Sequence, residues 1–142
     1  YDIDLLITPD PYFKRGVNYQ AVFAYEHVLV VSNQNHLAKQ DFVEPLQLSN
    51  EVLISYPVAA SRLDIFSQFL TPAVCSVRQH QQIENTAIIL QMVNANGGVA
   101  ALPLWLVEQQ YSDLDITTLR LGAEGINKQI HIGLRDNSEN PN

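Results

Sequence analysis

The stretch His27-Val28-Leu29-Val30-Val31 is an almost uninterrupted apolar run near the start of the chain. A short run of this kind, with little alternation of polar residues, is typical of a β-strand covered on both faces, as in α/β sheets. The polar stretch 32–40 that follows predicts a loop or a short helical turn. The run therefore predicts a sheet with layers of structure on both of its faces.

Further strands are predicted on both sides of this run. They are residues 5–8, 52–56, 77–83, 99–102, 116–121 and 129–134. The strand at 77–83 is polar, and we expect it to be exposed. Pro9 and Pro57 stop the strands that they follow, because proline has no amide hydrogen to donate to a neighbouring strand.

Three helices are predicted between these strands. Their apolar stripes are residues 63, 66, 69 and 70; residues 88, 89, 92 and 93; and residues 104, 107 and 111. Ser61 and Asp64 form a capping-box pattern before the first helix. Asn85 or Thr86 caps the second helix, and Gly97-Gly98 ends it. Because strand and helix alternate over most of the chain, the fold class is α/β with a largely parallel sheet.

Composition limits the classes of function. The 142 residues, 46% of them hydrophobic, fit one domain or two small lobes. The net charge is −7 and the eight Lys and Arg residues are scattered, so we expect no nucleic-acid binding by this chain alone. An apolar run of about 18 residues, the minimum for a membrane-spanning helix, is absent, so we expect no membrane association.

Motifs for catalysis are missing from the sequence. It contains no GxSxG, P-loop or GxGxxG motif, and its four histidines show no metal-binding spacing. Its single cysteine, Cys75, is expected to be inert in the core, and a nucleophilic Cys75 is the alternative. One thiol also suits a reducing compartment, so we expect a cytoplasmic protein. We predict that the chain is not an enzyme and holds no metal or cofactor.

Binding of a small anionic ligand is better supported. The candidate binding residues are Thr8, Asp10, Tyr56, Pro57, Val58, Ala59, Ser61, Arg62, Asn85 and Thr86. Free amide groups at the predicted helix starts favour a carboxylate, and Arg62 matches carboxylate geometry. Ser61 and Asn85 could instead cap their own helices. Thr8 ends a strand, where open sheets place ligands, although it could simply form the turn before Pro9.

Several segments resemble the effector domain of LysR-type transcriptional regulators. Residues 4–8 (DLLIT) resemble the family's DLxI(T/S) strand, and residues 25–31 resemble its crossover strand. Residues 35–38 (NHLA) resemble the HPLA segment, with Asn35-His36 in place of His-Pro. Residues 91–103 resemble the MVxxGxGIAxLP segment, with Asn at position 96 in place of its first glycine. The resemblance extends over residues 4–135.

Two further segments point to one branch of that family. Residues 56–70 contain YPV, RLD and FL, and residues 102–105 contain LPLW. These segments resemble those of LysR-type regulators of methionine biosynthesis, which sense homocysteine. The resemblance therefore implies an effector that is homocysteine or a similar amino acid. Its ammonium group would need an acceptor such as Asp10 or Glu84, and its sulfur-bearing chain would lie on Val58 and Ala59.

The resemblance also implies an architecture. It implies a two-lobed effector domain like the type 2 periplasmic binding proteins, with the effector in the cleft between the lobes. We expect a fragment of it, since the chain lacks an initiator Met and begins at the approach to a strand. The first lobe would comprise 1–24 and 129–142, and the second 25–128. DNA would bind through a separate N-terminal domain of a homodimer or homotetramer. The alternative is a solute-binding protein of a transport system with the same fold.

Overall fold

The computed structural model describes residues 3–8, 17–109 and 113–136, with side chains described for 23–109 and 113–129. The chain forms two compact units. The first comprises Tyr1–Tyr25 with Asn127–Asn142, and the second comprises Glu26–Ile126. Each unit is considered by itself below.

Strands and helices alternate along the described part of the chain. The strands are β1 (Ile3–Thr8), β2 (Val17–Ser32), β3 (Phe42–Val43), β4 (Val52–Ser55), β5 (Gln79–Gln82), β6 (Val99–Pro103), β7 (Ile116–Leu121) and β8 (Ile126–Asp136). The α-helices are α1 (Thr86–Asn94) and α2 (Leu104–Gln109); 3₁₀ helices occupy His36–Lys39, Pro45–Leu48 and Ala60–Arg62, and a π-helix occupies Ile65–Leu70. Every strand predicted from the sequence is confirmed, although β2 and β8 are longer than predicted.

The first unit contains a pair of antiparallel strands. β1 runs antiparallel to β8, from Ile3 opposite Asp136 to Thr8 opposite His131. The remaining part of this unit that the structure describes is the first half of β2. Side chains in the unit are described only for residues 23–25 and 127–129.

The second unit contains a mixed sheet with the strand order β5-β4-β6-β2-β7-β3. β4 is parallel to β5 and β6, and β3 is parallel to β7. β2 runs antiparallel to both of its neighbours in this unit, β6 and β7. Five of the six strands therefore run in one direction, which agrees with the prediction of a largely parallel sheet, and the apolar strand β2 is the exception.

The hydrophobic core of the second unit lies on both faces of this sheet. Leu29 and Val31 pack into one cluster, and Val30 packs into the other, because successive side chains of a strand point to opposite faces. All three side chains are completely buried. The prediction that this strand is covered on both faces is confirmed.

The first predicted helix does not form as one continuous helix. Ser61 lies inside the 3₁₀ helix Ala60–Arg62, and Leu63 then adopts an extended conformation with φ −92° and ψ 127°. Asp64 precedes the π-helix and makes no capping hydrogen bond with its side chain. The capping-box prediction for Ser61 and Asp64 is therefore wrong, because the extended Leu63 separates the two helical turns.

Helix α1 has well-defined caps at both ends. Asn85 Oδ1 accepts a hydrogen bond from the amide of Ile88, which confirms the predicted N-cap. At the other end Asn96 has φ 62°, and the amides of Asn96 and Gly97 donate to Val93 O and Met92 O. This is a Schellman motif with asparagine in the left-handed position. The helix ends at Asn94, and Asn96 rather than the predicted glycine pair takes the left-handed position that follows it.

Candidate functional site

A cavity of about 200 Å³ lies in the second unit, where β4 and β6 end. Its walls are His27, Leu53, Ser55, Tyr56, Arg62, Leu63, Asp64, Ile65, Ala101 and Pro103. Because β4 and β6 are parallel, their carboxyl ends meet at one edge of the sheet. This is the edge at which open α/β sheets bind ligands, since strand ends and the following loops form a crevice there.

Two residues of opposite charge lie where the 3₁₀ helix ends and the π-helix begins. Arg62 and Asp64 both line the cavity. Arg62 is exposed, and its guanidinium makes no ion pair or hydrogen bond within the described residues. Asp64 is half-buried, and its Oδ1 accepts a hydrogen bond of 3.2 Å from Gln68 Nε2. One cation and one anion therefore face the same small space.

A buried hydroxyl group forms another part of the wall. Ser55, the last residue of β4, is only 7% exposed. Its Oγ contacts Nε2 of His80 on the neighbouring strand β5 and lies 3.2 Å from the backbone oxygen of Tyr56. The His80 ring packs against Phe66, with ring centroids 5.1 Å apart. Burial lowers the pKa of His80 below its ordinary value of 6.5, because the charged imidazolium loses hydration.

The start of α1 is connected to the cavity wall by a hydrogen bond to Tyr56. The hydroxyl of Tyr56 is hydrogen-bonded to the hydroxyl of Thr86, the first residue of α1. Asn85 uses its side chain to cap the same helix. The helix start therefore holds one side chain of the cavity wall in place, although Asn85 and Thr86 themselves do not line the cavity.

The structure brings two of the residues predicted from the sequence to the cavity wall, Tyr56 and Arg62. The segment between them is exposed and lies outside the wall; its predicted residues are Pro57, Val58, Ala59 and Ser61. Thr8 ends β1, and its side chain is not among those described. Asp10 lies outside the described residues, and Glu84 is exposed. A binding role for these residues stays a prediction.

Most of the cavity wall was not predicted from the sequence. The missed residues are His27, Leu53, Ser55, Leu63, Asp64, Ile65, Ala101 and Pro103. One signal was available for three of them, because Ser55, Ala101 and Pro103 lie at the carboxyl ends of predicted strands. The carboxyl-end rule applies to these strands as it does to Thr8. For His27 and Asp64 the sequence carries no comparable signal.

The described residues hold no candidate metal centre. They contain no group of three or more His, Cys, Asp or Glu side chains that could hold a metal ion. Cys75 is half-buried beside the core, and its thiol donates to Ala73 O at 3.4 Å. Among the described helices, none has the length and apolar character needed to cross a membrane.

A second, more open cavity of about 210 Å³ lies at the other end of β4 and β6. Its lining is mostly polar and consists of Asn35, Asn50, Glu51, Val52, Arg78, Asn96, Gly97 and Gly98. This cavity shares no lining residue with the first one.

Comparisons with known proteins agree with this fold. The HTH-type transcriptional regulator MetR of Escherichia coli K12 is 36% identical over 138 residues, which are 97% of this chain and 43% of that protein. The Salmonella typhimurium MetR is 35% identical over the same shares. The chain therefore spans less than half the length of these relatives.

Solved structures show the same similarity. The regulatory domain of MetR from N. meningitidis superposes with a TM-score of 0.81 at 28% identity, over 95% of this chain and 62% of that one. The regulatory domain of Synechocystis CcmR in complex with 2-PG gives a TM-score of 0.76 at 18% identity, over 92% of this chain and 62% of that one, which shows the fold alone. The family description "LysR substrate binding domain" matches residues 1–142. The chain belongs to the LysR substrate-binding domain family.

Proposed function

We propose that this chain is the effector-sensing domain of a LysR-type regulator of methionine biosynthesis, and that it binds homocysteine or a similar amino acid. The whole protein would bind DNA through an N-terminal helix-turn-helix domain and act in the cytoplasm without enzymatic activity. Two relatives that are 36% and 35% identical in sequence are transcriptional regulators named MetR. This similarity supports a regulator over the alternative, a binding protein of a transport system.

The observation that carries the proposal is the pair of opposite charges at one cavity. An α-amino acid at neutral pH carries a carboxylate and an ammonium group close together. Arg62 would bind the carboxylate through its planar guanidinium, and Asp64 would accept hydrogen bonds from the ammonium group. Asp64 replaces Asp10 and Glu84 as the ammonium partner in this proposal, because it lines the same cavity as Arg62.

The remaining walls suit a short sulfur-bearing side chain. Leu53, Leu63, Ile65 and Ala101 contribute apolar surface to the cavity. A thiol on a short aliphatic chain is weakly polar, so it loses little hydration when it enters such a space. Small-molecule sites commonly combine apolar walls with a few polar groups that fix the ligand's orientation, and this cavity has that composition.

Sensing requires that the effector bind two conformations of the protein with different affinity. We propose that homocysteine selects one conformation of the domain and that a homodimer or homotetramer passes this selection to its DNA-binding domains. A difference of about 1.4 kcal/mol in binding free energy would shift the ratio of the two conformations tenfold.

Calorimetry tests the proposed ligand and its location. L-homocysteine is titrated into the unaltered chain and into Arg62→Met and Asp64→Asn. We expect roughly tenfold weaker binding in each variant, since a hydrogen bond to a charged group contributes about 1.5–3 kcal/mol, reduced by the exposure of Arg62. Arg78→Met is the matched control, because Arg78 is also exposed but lines the other cavity. Absence of binding to the unaltered chain would contradict the proposed ligand.

A further inference from the structure

Ser55 combines burial with direct access to the proposed effector cavity. It is one of two polar residues that are buried in the described part of the chain, and it is the one that lines this cavity. Buried hydroxyl groups are satisfied by hydrogen bonds, and here the partners are His80 and the backbone of Tyr56. His80 does not line the cavity. Tyr56 does line it, but it contacts Ser55 through its backbone oxygen.

The hydroxyl hydrogen of Ser55 is used by one of these two partners in either possible arrangement. The carbonyl of Tyr56, at 3.2 Å, can only accept, whereas Nε2 of His80 can donate or accept according to the tautomer of the ring. The hydrogen therefore points to Tyr56 O when Nε2 donates, and to Nε2 when Nε2 accepts. Ser55 is therefore left with a lone pair and without a hydrogen for any further partner.

We propose that His80 is a positioning residue that holds the Ser55 hydroxyl as a hydrogen-bond acceptor toward the cavity, and that this pair selects ligands with a protonated amine. The inference rests on the proposed function and deepens it. An acceptor without a hydrogen attracts an ammonium group and repels a carboxylate. Ser55 and Asp64 would therefore receive the ammonium group, which leaves the carboxylate to Arg62 and fixes the orientation of the amino acid.

The test compares two ligands that differ in the amine alone. L-homocysteine and 4-mercaptobutanoate, its counterpart without the amino group, are titrated into the unaltered chain and into Ser55→Ala, His80→Leu and the double variant. NMR titration is used because it detects weak binding. We expect Ser55→Ala and His80→Leu each to weaken homocysteine binding five- to tenfold and 4-mercaptobutanoate binding less than twofold. The double variant should lose no more than either single variant, because both changes remove one interaction.

Two further variants separate positioning from structural damage. His80→Gln keeps an N–H donor near Ser55, so it should retain most of the preference for homocysteine. Gln79→Leu alters an exposed neighbour on the same strand and should change neither affinity.

The outcomes distinguish this inference from the proposed function. Equal loss of both ligands in Ser55→Ala and His80→Leu would overturn the amine selection while the proposed function stands. If His80→Leu fails to fold, Ser55→Ala and His80→Gln decide the question by the same comparison. If the unaltered chain does not bind homocysteine, the proposed ligand is wrong and the inference falls with it.

Discussion

Gly98 lies buried at the start of β6, where the strand passes close to β4. A Cβ atom at this position would stand 2.7 Å from Val52 O and 2.9 Å from Ile54 Cδ1. Replacement of Gly98 by alanine should therefore destabilise the chain by about 2 kcal/mol, since overpacking of a core typically costs about 1–3 kcal/mol. Urea unfolding followed by circular dichroism measures this change.

The adjacent glycine provides the control. Gly97 is exposed, and its Cβ would lie 3.2 Å from Met92 O. Gly97→Ala should cost less than half of the effect at Gly98, because the neighbouring turn is free to relax into solvent. Equal effects at the two positions would show that the close approach of β6 to β4 is not what requires Gly98.

The imidazole of His80 should make stability depend on pH. Its pKa is lowered in the folded chain, so the unfolded chain takes up a proton first as the pH falls. The unfolded state then binds more protons, and stability is lost as the pH falls through and below about 6.5, the pKa of an unperturbed histidine. Ser55 and Phe66, which both contact the ring, are uncharged.

Thermal unfolding between pH 5 and pH 8 measures this dependence. His80→Gln removes the titrating group and should flatten the decline in melting temperature toward pH 5. His36→Gln, which alters an exposed histidine on a 3₁₀ helix, should leave the decline in place. An unchanged decline in His80→Gln would show that another group causes it.

At the scale of elements, the sequence predicted strands better than helices. Most strands could be predicted because their sequence pattern is local, whereas the two-residue strand β3 (Phe42–Val43) was not predicted because it is too short to show one. The first helix could not be predicted, because a helical spacing of apolar residues does not distinguish an α-helix from a 3₁₀ turn followed by a π-helix. The Ser55–His80 pair was also missed, since it depends on the register that places Leu53 opposite His80.

The turn that follows the π-helix is expected to be strained at Val74. Val74 has φ 56°, and the amides of Val74 and Cys75 donate to Thr71 O and Leu70 O in the pattern of a Schellman motif. A β-branched residue is unfavourable in this left-handed conformation, and Val74 is 93% exposed, so its side chain contributes little packing. Val74→Gly should therefore raise stability by about 0.5–1 kcal/mol, measured by urea unfolding.

A second valine provides the matched control for this strain. Val58 is also exposed, but its φ is not positive. Val58→Gly should leave stability unchanged or lower it, because glycine increases the conformational entropy of the unfolded chain. If Val74→Gly lost as much stability as Val58→Gly, the backbone of Val74 would not be strained in the way proposed.

Substitutions of Asn85, the N-cap of α1, distinguish a structural role of this residue from a role in ligand binding. Asn85→Ala removes the acceptor for Ile88 N and should cost about 1 kcal/mol, whereas Asn85→Ser keeps a capping oxygen and should cost little. The measurement is the free energy of unfolding in urea. Because Asn85 does not line the cavity, affinity for homocysteine should be similar in both variants. A loss of affinity without a loss of stability would indicate that Asn85 contacts the ligand.

At the scale of the whole molecule, composition and alternation of elements indicated the α/β class, and the quoted segments indicated the family. The direction of β2 could not be predicted, because an apolar strand has the same sequence pattern in parallel and antiparallel pairs. The cavity was only partly predicted, since its wall joins residues from β2, β4, β6 and the segment 62–65. Only folding brings these distant segments together.

We propose that an amino-acid effector binds at the carboxyl ends of β4 and β6. Amide chemical shifts of the 142-residue chain, recorded during titration with L-homocysteine, test this proposal most directly. We expect the largest shifts at Ser55, Tyr56 and Leu63, with little change at Glu51 and Gly97 in the other cavity. Shifts confined to Glu51 and Gly97, or no shifts at saturating homocysteine, would contradict the proposal.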